Sequence, residues 1–364
     1  MKLRIIHAAD LHLDSPFEAL GLERASLRRS EQRSLIDRIA VETELRKADL
    51  LLLAGDLLDS DSAYAETGEA LVASLARLHV PVFIAPGNHD RCSRRSPYVR
   101  LRFPENVHIF RSPHLESVVL PKLGVRVWGA GYNDTSCEPL LHGLRVPAED
   151  GWENLLVLHA EVGRPYSPYC PVTESDLAQS GIRYAAFGHI HTYGGLRRAG
   201  ACAYAWPGCP EGRGFDECGS KGILQIDIDG THTSAEFIPT ALRRYEKLRV
   251  EATGDTLAAI RAALPKNTSE DIYKIILTGE CASPPDLSYL RRALEHDFFA
   301  LTMEDETDPP HELFARADED SLAGRFLRRM QRRLDAASTE EERRMLLRAV
   351  RHGIAALEGW EVRL

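Results

Sequence analysis

Long apolar runs are missing from this chain. Nothing in its 364 residues approaches the roughly 18 uninterrupted apolar positions that a membrane helix needs. The opening Met1-Lys-Leu-Arg-Ile-Ile-His7 has no extended hydrophobic region, so neither a spanning segment nor a secretory leader is expected. Cysteine is sparse, with seven residues and no Cys-x-x-Cys pair. That argues against a disulfide framework and for a reducing compartment, the cytoplasm. Cys202, Cys209 and Cys218 lie near one another, but their spacing does not suit a zinc knuckle. Internal repeats and low-complexity tracts are also lacking. So is any surplus of basic charge: the net charge is −9, which counts against a simple polyanion-binding surface.

What is present is a chain with a sizeable core, long enough for two or three domains. Short apolar runs at Leu3–Ala9, Asp49–Ala54, Val80–Ala85, Val125–Ala130, Leu155–Leu158 and Tyr184–Phe187 read as buried strands. Helical periodicity over Arg24–Lys47 and Tyr64–His79 separates the first three. Strands alternating with helices predict βαβ units and a sheet covered on both faces. Gly222–Asp227 and Ala235–Pro239 read as a hairpin closing the first domain. From Tyr245 a smaller βαβαβ unit follows, with strands at Tyr245–Val250, Ile272–Leu277 and Phe298–Met303 and helices at Thr256–Leu264 and Leu287–His296. Beyond Pro309-Pro310 two amphipathic helices are expected within Ser321–Leu357. Their apolar stripes are Leu322, Phe326, Met330, Leu334 and Leu346, Val350, Ile354, Leu357.

Five blocks carry the chemistry: Asp10-Leu-His12, Gly55-Asp56, Gly87-Asn88-His89-Asp90, His159 and Gly188-His189-Ile190-His191. Each follows an apolar run, and in open α/β sheets ligands bind beyond the carboxyl ends of the strands. Taken singly, Asp after Gly is more often a turn residue or a helix cap, and a lone His is usually core or surface. Taken together, two Asp, one Asn and four His form a hard-to-borderline donor set sized for two adjacent divalent cations. Thiolates are absent from that set, which suits manganese, with iron or zinc as alternatives. Arg91, Arg94, Arg95, Arg100 and Arg102 follow the third block without an intervening acid. They form either a solvated basic face or a set of phosphate contacts, of which Arg91, Arg94 and Arg95 are nearest the block.

The order and spacing of the five blocks resemble the calcineurin-like metallophosphoesterases. The resemblance implies a layered α/β fold, with β-sheets flanked by helices and a dimetal site at strand carboxyl ends. It also implies one ion held by Asp10, His12, Asp56 and His191 and a second by Asp56, Asn88, His159 and His189. Asp56 would bridge the ions, a metal-bridging hydroxide would attack phosphorus, and His89 would act as acid or transition-state donor. Ala8-Ala-Asp-Leu-His-Leu-Asp-Ser-Pro-Phe17, Gly55-Asp-Leu-Leu-Asp59 and Pro210-Glu-Gly-Arg213 look like the bacterial DNA-repair exonucleases, the YhaO-like branch related to SbcD. Many relatives carry a His where this chain has Asp59, so that residue's role does not transfer.

The resemblance implies a DNA exonuclease or endonuclease subunit, with a catalytic domain over 1–243, a capping domain over 244–308, and a linker with a C-terminal helical pair over 309–364. The helices would dock an SbcC-like coiled-coil ATPase or a second copy of the chain. The competing readings are a small-molecule phosphodiesterase or phosphatase (cyclic nucleotide or pyrophosphate) and a non-catalytic scaffold. The protein Ser/Thr phosphatases are set aside, because their Gly-Asn-His-Glu block is missing.

Overall fold

In the computed structural model, which describes residues 2–146, 151–252, 254–281 and 283–359, the run Leu50–Leu53 is buried along its whole length. An apolar run without alternation needs cover on both faces, and here it lies inside a sheet that has it. The chain divides into two units, Met1–Arg244 and Tyr245–Leu364. The first unit's strands begin with β1 (Lys2–Ala8), β2 (Leu50–Leu53), β3 (Val82–Ile84), β4 (Val107–Ile109), β5 (Glu116–Leu120), β6 (Val125–Gly129) and β7 (Glu153–His159). They continue with β8 (Glu161–Val162), β9 (Pro171–Val172), β10 (Tyr184–Gly188), β11 (Arg197–Ala199), β12 (Cys202–Ala205), β13 (Gly222–Asp229) and β14 (His232–Pro239).

Two six-stranded sheets result, ordered β14-β13-β1-β2-β3-β4 and β11-β12-β10-β7-β6-β5. Within them β1 to β4 run parallel, as do β6, β7, β10 and β12. The expected hairpin of β13 and β14 pairs antiparallel and joins β1 at the sheet's flank. Leu3, Ile5, Leu50, Leu52 and Phe83 of the first sheet meet Val125, Val127, Leu155, Val157 and Tyr184 of the second in a fully buried layer. The first sheet's other face packs Ile6, Leu51 and Leu53 against helices α2 (Leu35–Leu45) and α3 (Ala65–Leu75), which follow α1 (Leu22–Arg33). The second sheet's outer face packs Leu156, Leu158, Ala185 and Phe187 around Leu177 and Trp206. Two short helices complete the unit, α4 (Pro97–Arg100) and α5 (Glu174–Ser180). Two sheets packed face to face and flanked by helices make this the layered α/β arrangement that the resemblance implies.

The single helix expected over Arg24–Lys47 is in fact two. The Ser34 hydroxyl donates to the Glu31 carbonyl at 2.7 Å, and such local back-bonding competes with the helical ladder. The helix expected to reach His79 stops at Leu75, where the Asn106 amide donates to the carbonyls of Leu78 and Val80 at 3.0 and 3.1 Å. A buried clasp then joins helices to loop. Fully buried Arg28 donates to Glu211 at 2.9 Å and to Glu31 at 2.8 Å, and Arg38 also reaches Glu211 at 2.9 Å. Glu211 in turn accepts the backbone N–H of Leu242 at 3.0 Å.

The second unit holds β15 (Tyr245–Glu251), β16 (Ile272–Thr278) and β17 (Ala300–Asp305) as a parallel three-stranded sheet. Its crossover helices α6 (Thr256–Ala263) and α7 (Leu287–Leu294) bury Ile260, Leu290 and Leu294 against Ile275 and Leu277. The stretch after Pro310 is structured: α8 (His311–Ala315) sets Leu313 and Phe314 against the pair α9 (Leu322–Asp335) and α10 (Glu340–Leu357). Of the eight stripe residues, Met330, Leu334, Leu346, Val350 and Ile354 are buried in this one cluster and Phe326 partly so. Leu322 and Leu357 are exposed. The stripe is therefore spent largely within the hairpin, which Arg351 ties to the end of β17 through Asp305 (3.2 Å) and the Thr307 carbonyl (2.9 Å). Among the described residues no helix is long and apolar enough to cross a membrane.

The clasp gives the first prediction. Glu211→Ala leaves the buried Arg28 guanidinium with only its Glu31 ion pair and takes the buried partner from Arg38, a loss of about 3–5 kcal/mol. Denaturant titration should show a loss of that order in the first unit's transition; a loss of about 1 kcal/mol or less would mean the clasp is peripheral.

Candidate metal centre

Parallel pairing of β2 with both β1 and β3, and of β7 with β10, brings the carboxyl ends of these strands together. All five blocks sit there. The turns that leave the strands are unusual in backbone conformation. Asp10 (φ 55), His12 (φ 45), Asp56 (φ 50) and His189 (φ 98) all occupy positive-φ geometry, which costs a non-glycine residue about 1–3 kcal/mol. Neighbouring backbones hold them there: Asp10 N–H donates to the Gly55 carbonyl at 3.0 Å and His12 N–H to the Asp56 carbonyl at 2.9 Å. Two glycines permit the close approach. A Cβ on Gly55 would lie 2.5 Å from His159 Nδ1, and one on Gly188 would collide with the Ala54 carbonyl.

Asp90 is the brace beneath the site. Its buried carboxylate accepts from the backbone N–H of Gly87 (2.7 Å), Leu57 (2.7 Å) and Asp56 (3.2 Å), and from the Tyr98 hydroxyl (2.6 Å). It locks the turn after β2 to the turn after β3. Burial, then the nearby Asp56 charge, nonetheless push its pKa up.

The donors converge in a consistent way. Asp10 and Asp56 are buried, and their ion pairs among the described residues are with imidazoles: His12, His159 and His191 at 3.3 to 3.9 Å. The outer nitrogen of each of these rings faces an obligate acceptor. His12 Nδ1 meets Asp59 at 3.1 Å, His159 Nδ1 the Ala54 carbonyl at 3.1 Å, and His191 Nδ1 Glu217 at 2.7 Å. In the neutral ring each Nδ1 therefore carries the proton, and each Nε2 presents a lone pair inward for a metal ion or a second proton. There the lone pairs face other acceptors: His12 Nε2 lies 3.3 Å from His191 Nε2, and His159 Nε2 lies 3.1 Å from Asn88 Oδ1 and 3.3 Å from Asp56. Acceptors at such distances repel unless something positive lies between them. Outer N–H groups held by carboxylates or carbonyls are the usual setting of metal-binding imidazoles.

Among the described residues three groups of side chains could hold an ion: Asp10 with His12 and His191; Asp10 with Asp56 and His159; and His12 with Asp56 and His89. The oxygen and imidazole donors, without thiolate, fit divalent cations. His189 stands beside these groups. Its N–H donates to Asp10 at 2.9 Å, and its ring lies 5.2 Å from that of His159 and 4.5 Å from that of Tyr169. Burial, then the His159 charge, lower His189 to about 4. Burial also opposes charge on His159, but the Asp56 carboxylate overcomes it and raises that ring to about 9, so without a metal a second proton sits on Nε2, between the ring and Asp56, where a cation would otherwise stand.

His89 is exposed at the rim, with its N–H donating to Asp56 at 3.0 Å and its Nδ1 3.2 Å from the Asp59 carbonyl. Arg91 pairs with Asp61 at 3.2 Å, whereas Arg94 and Arg95 are exposed. Sequence reasoning assigned no role to Asp90, Glu217 or Arg213, although Asp90 directly follows His89 and Arg213 ends the Pro210-Glu-Gly-Arg stretch.

Asp90→Ala would leave several buried donors without an acceptor, a loss of about 3–5 kcal/mol. The melting temperature should fall by about 10 °C; an unchanged value would show that the turns hold themselves.

The model of the family described as calcineurin-like phosphoesterase matches residues 3–193. The metallophosphoesterase YhaO of Bacillus subtilis is 32% identical over 262 residues, which cover 69% of this chain and 64% of YhaO. The SbcD component of the SbcCD nuclease from the same organism is 24% identical over 270 residues, covering 62% of this chain and 66% of that protein. The chain thus spans slightly under two thirds of the length of these curated relatives. A solved dimetal phosphatase from Danio rerio aligns at 13% identity with a TM-score of 0.39, over 65% of this chain and 99% of that one, a likeness too loose to bear weight. The matched span includes β1, β2, β3, β7 and β10 with all five blocks at their ends: the chain belongs to the calcineurin-like phosphoesterase family, whose members hydrolyse phosphoesters with two divalent metals.

Proposed function

We propose that this chain is a phosphodiesterase that cleaves DNA, the nuclease subunit of a repair assembly. Asp10, His12, Asp56 and His191 would hold one ion and Asp56, Asn88, His159 and His189 the other. The observation that carries the hydrolytic part is the set of inward Nε2 lone pairs facing buried carboxylate and amide oxygens, each with its outer N–H fixed. When bound, the ions supply Lewis acidity at phosphorus and acidify the attacking water. Manganese suits these donors, with iron or zinc as alternatives.

The chain's own groups do the rest. Asp56 spans the two donor clusters, lying 3.8 Å from His12 and 3.3 Å from His159. Because Asp59 offers His89 a carbonyl oxygen, Nδ1 of that ring must be the donor, which frees Nε2 at the exposed rim. In the protonated ring Nε2–H can donate to a phosphoryl or leaving oxygen. Arg94 and Arg95 are suited to adjacent phosphates.

The nuclease part rests on the likeness to the SbcD component of SbcCD and on a second unit of suitable size. The sheet of Tyr245 to Asp308 would act as the cap. The α9–α10 hairpin would meet an SbcC-like coiled-coil ATPase or a second copy. Its buried stripe means such a partner would be met by the exposed arginines and by Leu322, Met345 and Leu357. The free cysteines suit a cytoplasmic setting.

A substrate panel with manganese tests this reading. Single- or double-stranded DNA and bis-p-nitrophenyl phosphate should be cleaved, and p-nitrophenyl phosphate and cyclic nucleotides left largely intact. Turnover of a cyclic nucleotide or monoester alongside untouched DNA would replace it with a small-molecule phosphoesterase. His89→Ala should lower the rate by roughly 10²–10⁴-fold while metal analysis still returns two ions per chain. A variant that loses an ion would make His89 a ligand, a role its closeness to His12 and Asp56 leaves open.

A further inference from the structure

Arg213 lies outside the donor set, yet it touches both carboxylates that grip the rings of His12 and His191, and its Nη2 lies 3.1 Å from His191 Nδ1 itself. At one end Nη2 donates to Glu217 Oε1 at 2.7 Å, and the Arg213 backbone N–H donates to Oε2 at 2.8 Å. At the other end Nη1 donates to Asp59 Oδ1 at 3.3 Å. That same Asp59 oxygen takes the His12 Nδ1 proton, and Glu217 Oε1 takes that of His191. A closed circuit results: His12, Asp59, Arg213, Glu217, His191, then back across the 3.3 Å gap between the two inward Nε2 atoms.

We propose that Arg213 is a positioning residue for one ion of the pair, fixing the imidazoles of His12 and His191 at a common angle through Asp59 and Glu217. This rests on the two-ion reading of the site. A guanidinium is suited to the task because its planar fork presents donors in set directions, so two carboxylates on different sides are held at a fixed separation. A lysine could satisfy one carboxylate but could not span both. The circuit touches neither Asn88 nor His159, so its effect is confined to one side of the centre. It also assigns work to Asp59: with the carboxylate it carries here, that position serves a ligand ring.

The test is calorimetric titration of metal-free protein with Mn²⁺, run on wild type, Arg213→Met and Arg213→Lys beside their melting temperatures. Wild type should take up two ions. Arg213→Met should bind one as wild type does and the other about 10–100-fold more weakly, the usual cost of losing such outer support. Arg213→Lys should recover only part of that loss, and if the methionine variant fails to fold, the lysine variant carries the test with one site weakened. Adding Glu217→Gln to Arg213→Met should weaken the site little further, since both act through one circuit. Two sites of wild-type affinity in the variants would overturn the proposal, as would equal weakening of both together with a fallen melting temperature. Fewer than two ions on wild type would instead overturn the two-ion reading, and the proposal with it.

Discussion

Asp10 and Asp56 bring carboxylates into a place from which water is almost excluded, and much of the first unit is arranged around that. A buried carboxylate without a partner costs several kcal/mol, and no lysine or arginine ion pair with either residue is seen among the described residues. The imidazoles around them do not cure the problem. Their protons are committed outward, to Asp59, Glu217 and the Ala54 carbonyl, so what faces the carboxylates is more lone-pair density. The protein concentrates acceptors where physics disfavours them, and what makes the grouping favourable is a cation or, without one, a second proton on His159.

Such a grouping needs a stiff frame, and the backbone shows what the frame withstands. Four of the candidate ligands sit at positive φ, each at a cost of about 1–3 kcal/mol, against a net stability of about 5–15 kcal/mol for a typical domain. The fully buried layer between the two sheets supplies the opposing stability, and Asp90 directs it to the right turns. Its carboxylate gathers donors from the ends of β2 and β3, so Asp56 and Asn88 cannot move apart without breaking several buried bonds at once. Ligand positions are thereby set by sheet geometry, which is more rigid than any loop.

Legibility in the sequence followed from how local each signal is. Leu50–Leu53 is uniform because both faces are buried, and the blocks stand out because polar, ligand-type residues follow such runs. Edge elements such as Val107–Ile109 and Glu116–Leu120 were unread: three to five residues with mixed burial carry too little periodicity. Helix α5 did carry a readable cue, the capping box of Thr173 and Asp176. The outer supports of the ligands were a different matter. Asp59 and Glu217 approach rings 47 and 26 residues away in the chain, and nothing in their immediate neighbours marks them. Only the fold reveals that Arg213 lies between them. The amphipathic stripes of α9 and α10 were legible as stripes, but period alone cannot say whether a stripe meets a partner or its own neighbour. Here most of it meets its neighbour.

The acidic net charge also takes on a different meaning once the site is drawn. A chain at −9 should repel a polyanion at long range, but that field is screened within about 8–10 Å at ordinary ionic strength. Close to the centre the field is set by what is bound there. Two divalent ions would more than offset Asp10 and Asp56, turning an acidic hollow into an attractive point for phosphate. Arg94 and Arg95 are exposed, whereas Arg91 is already partly spent on Asp61. Attraction would thus be short-ranged and centred on the ions. A site built this way engages a phosphoester at the metals first and elsewhere only weakly.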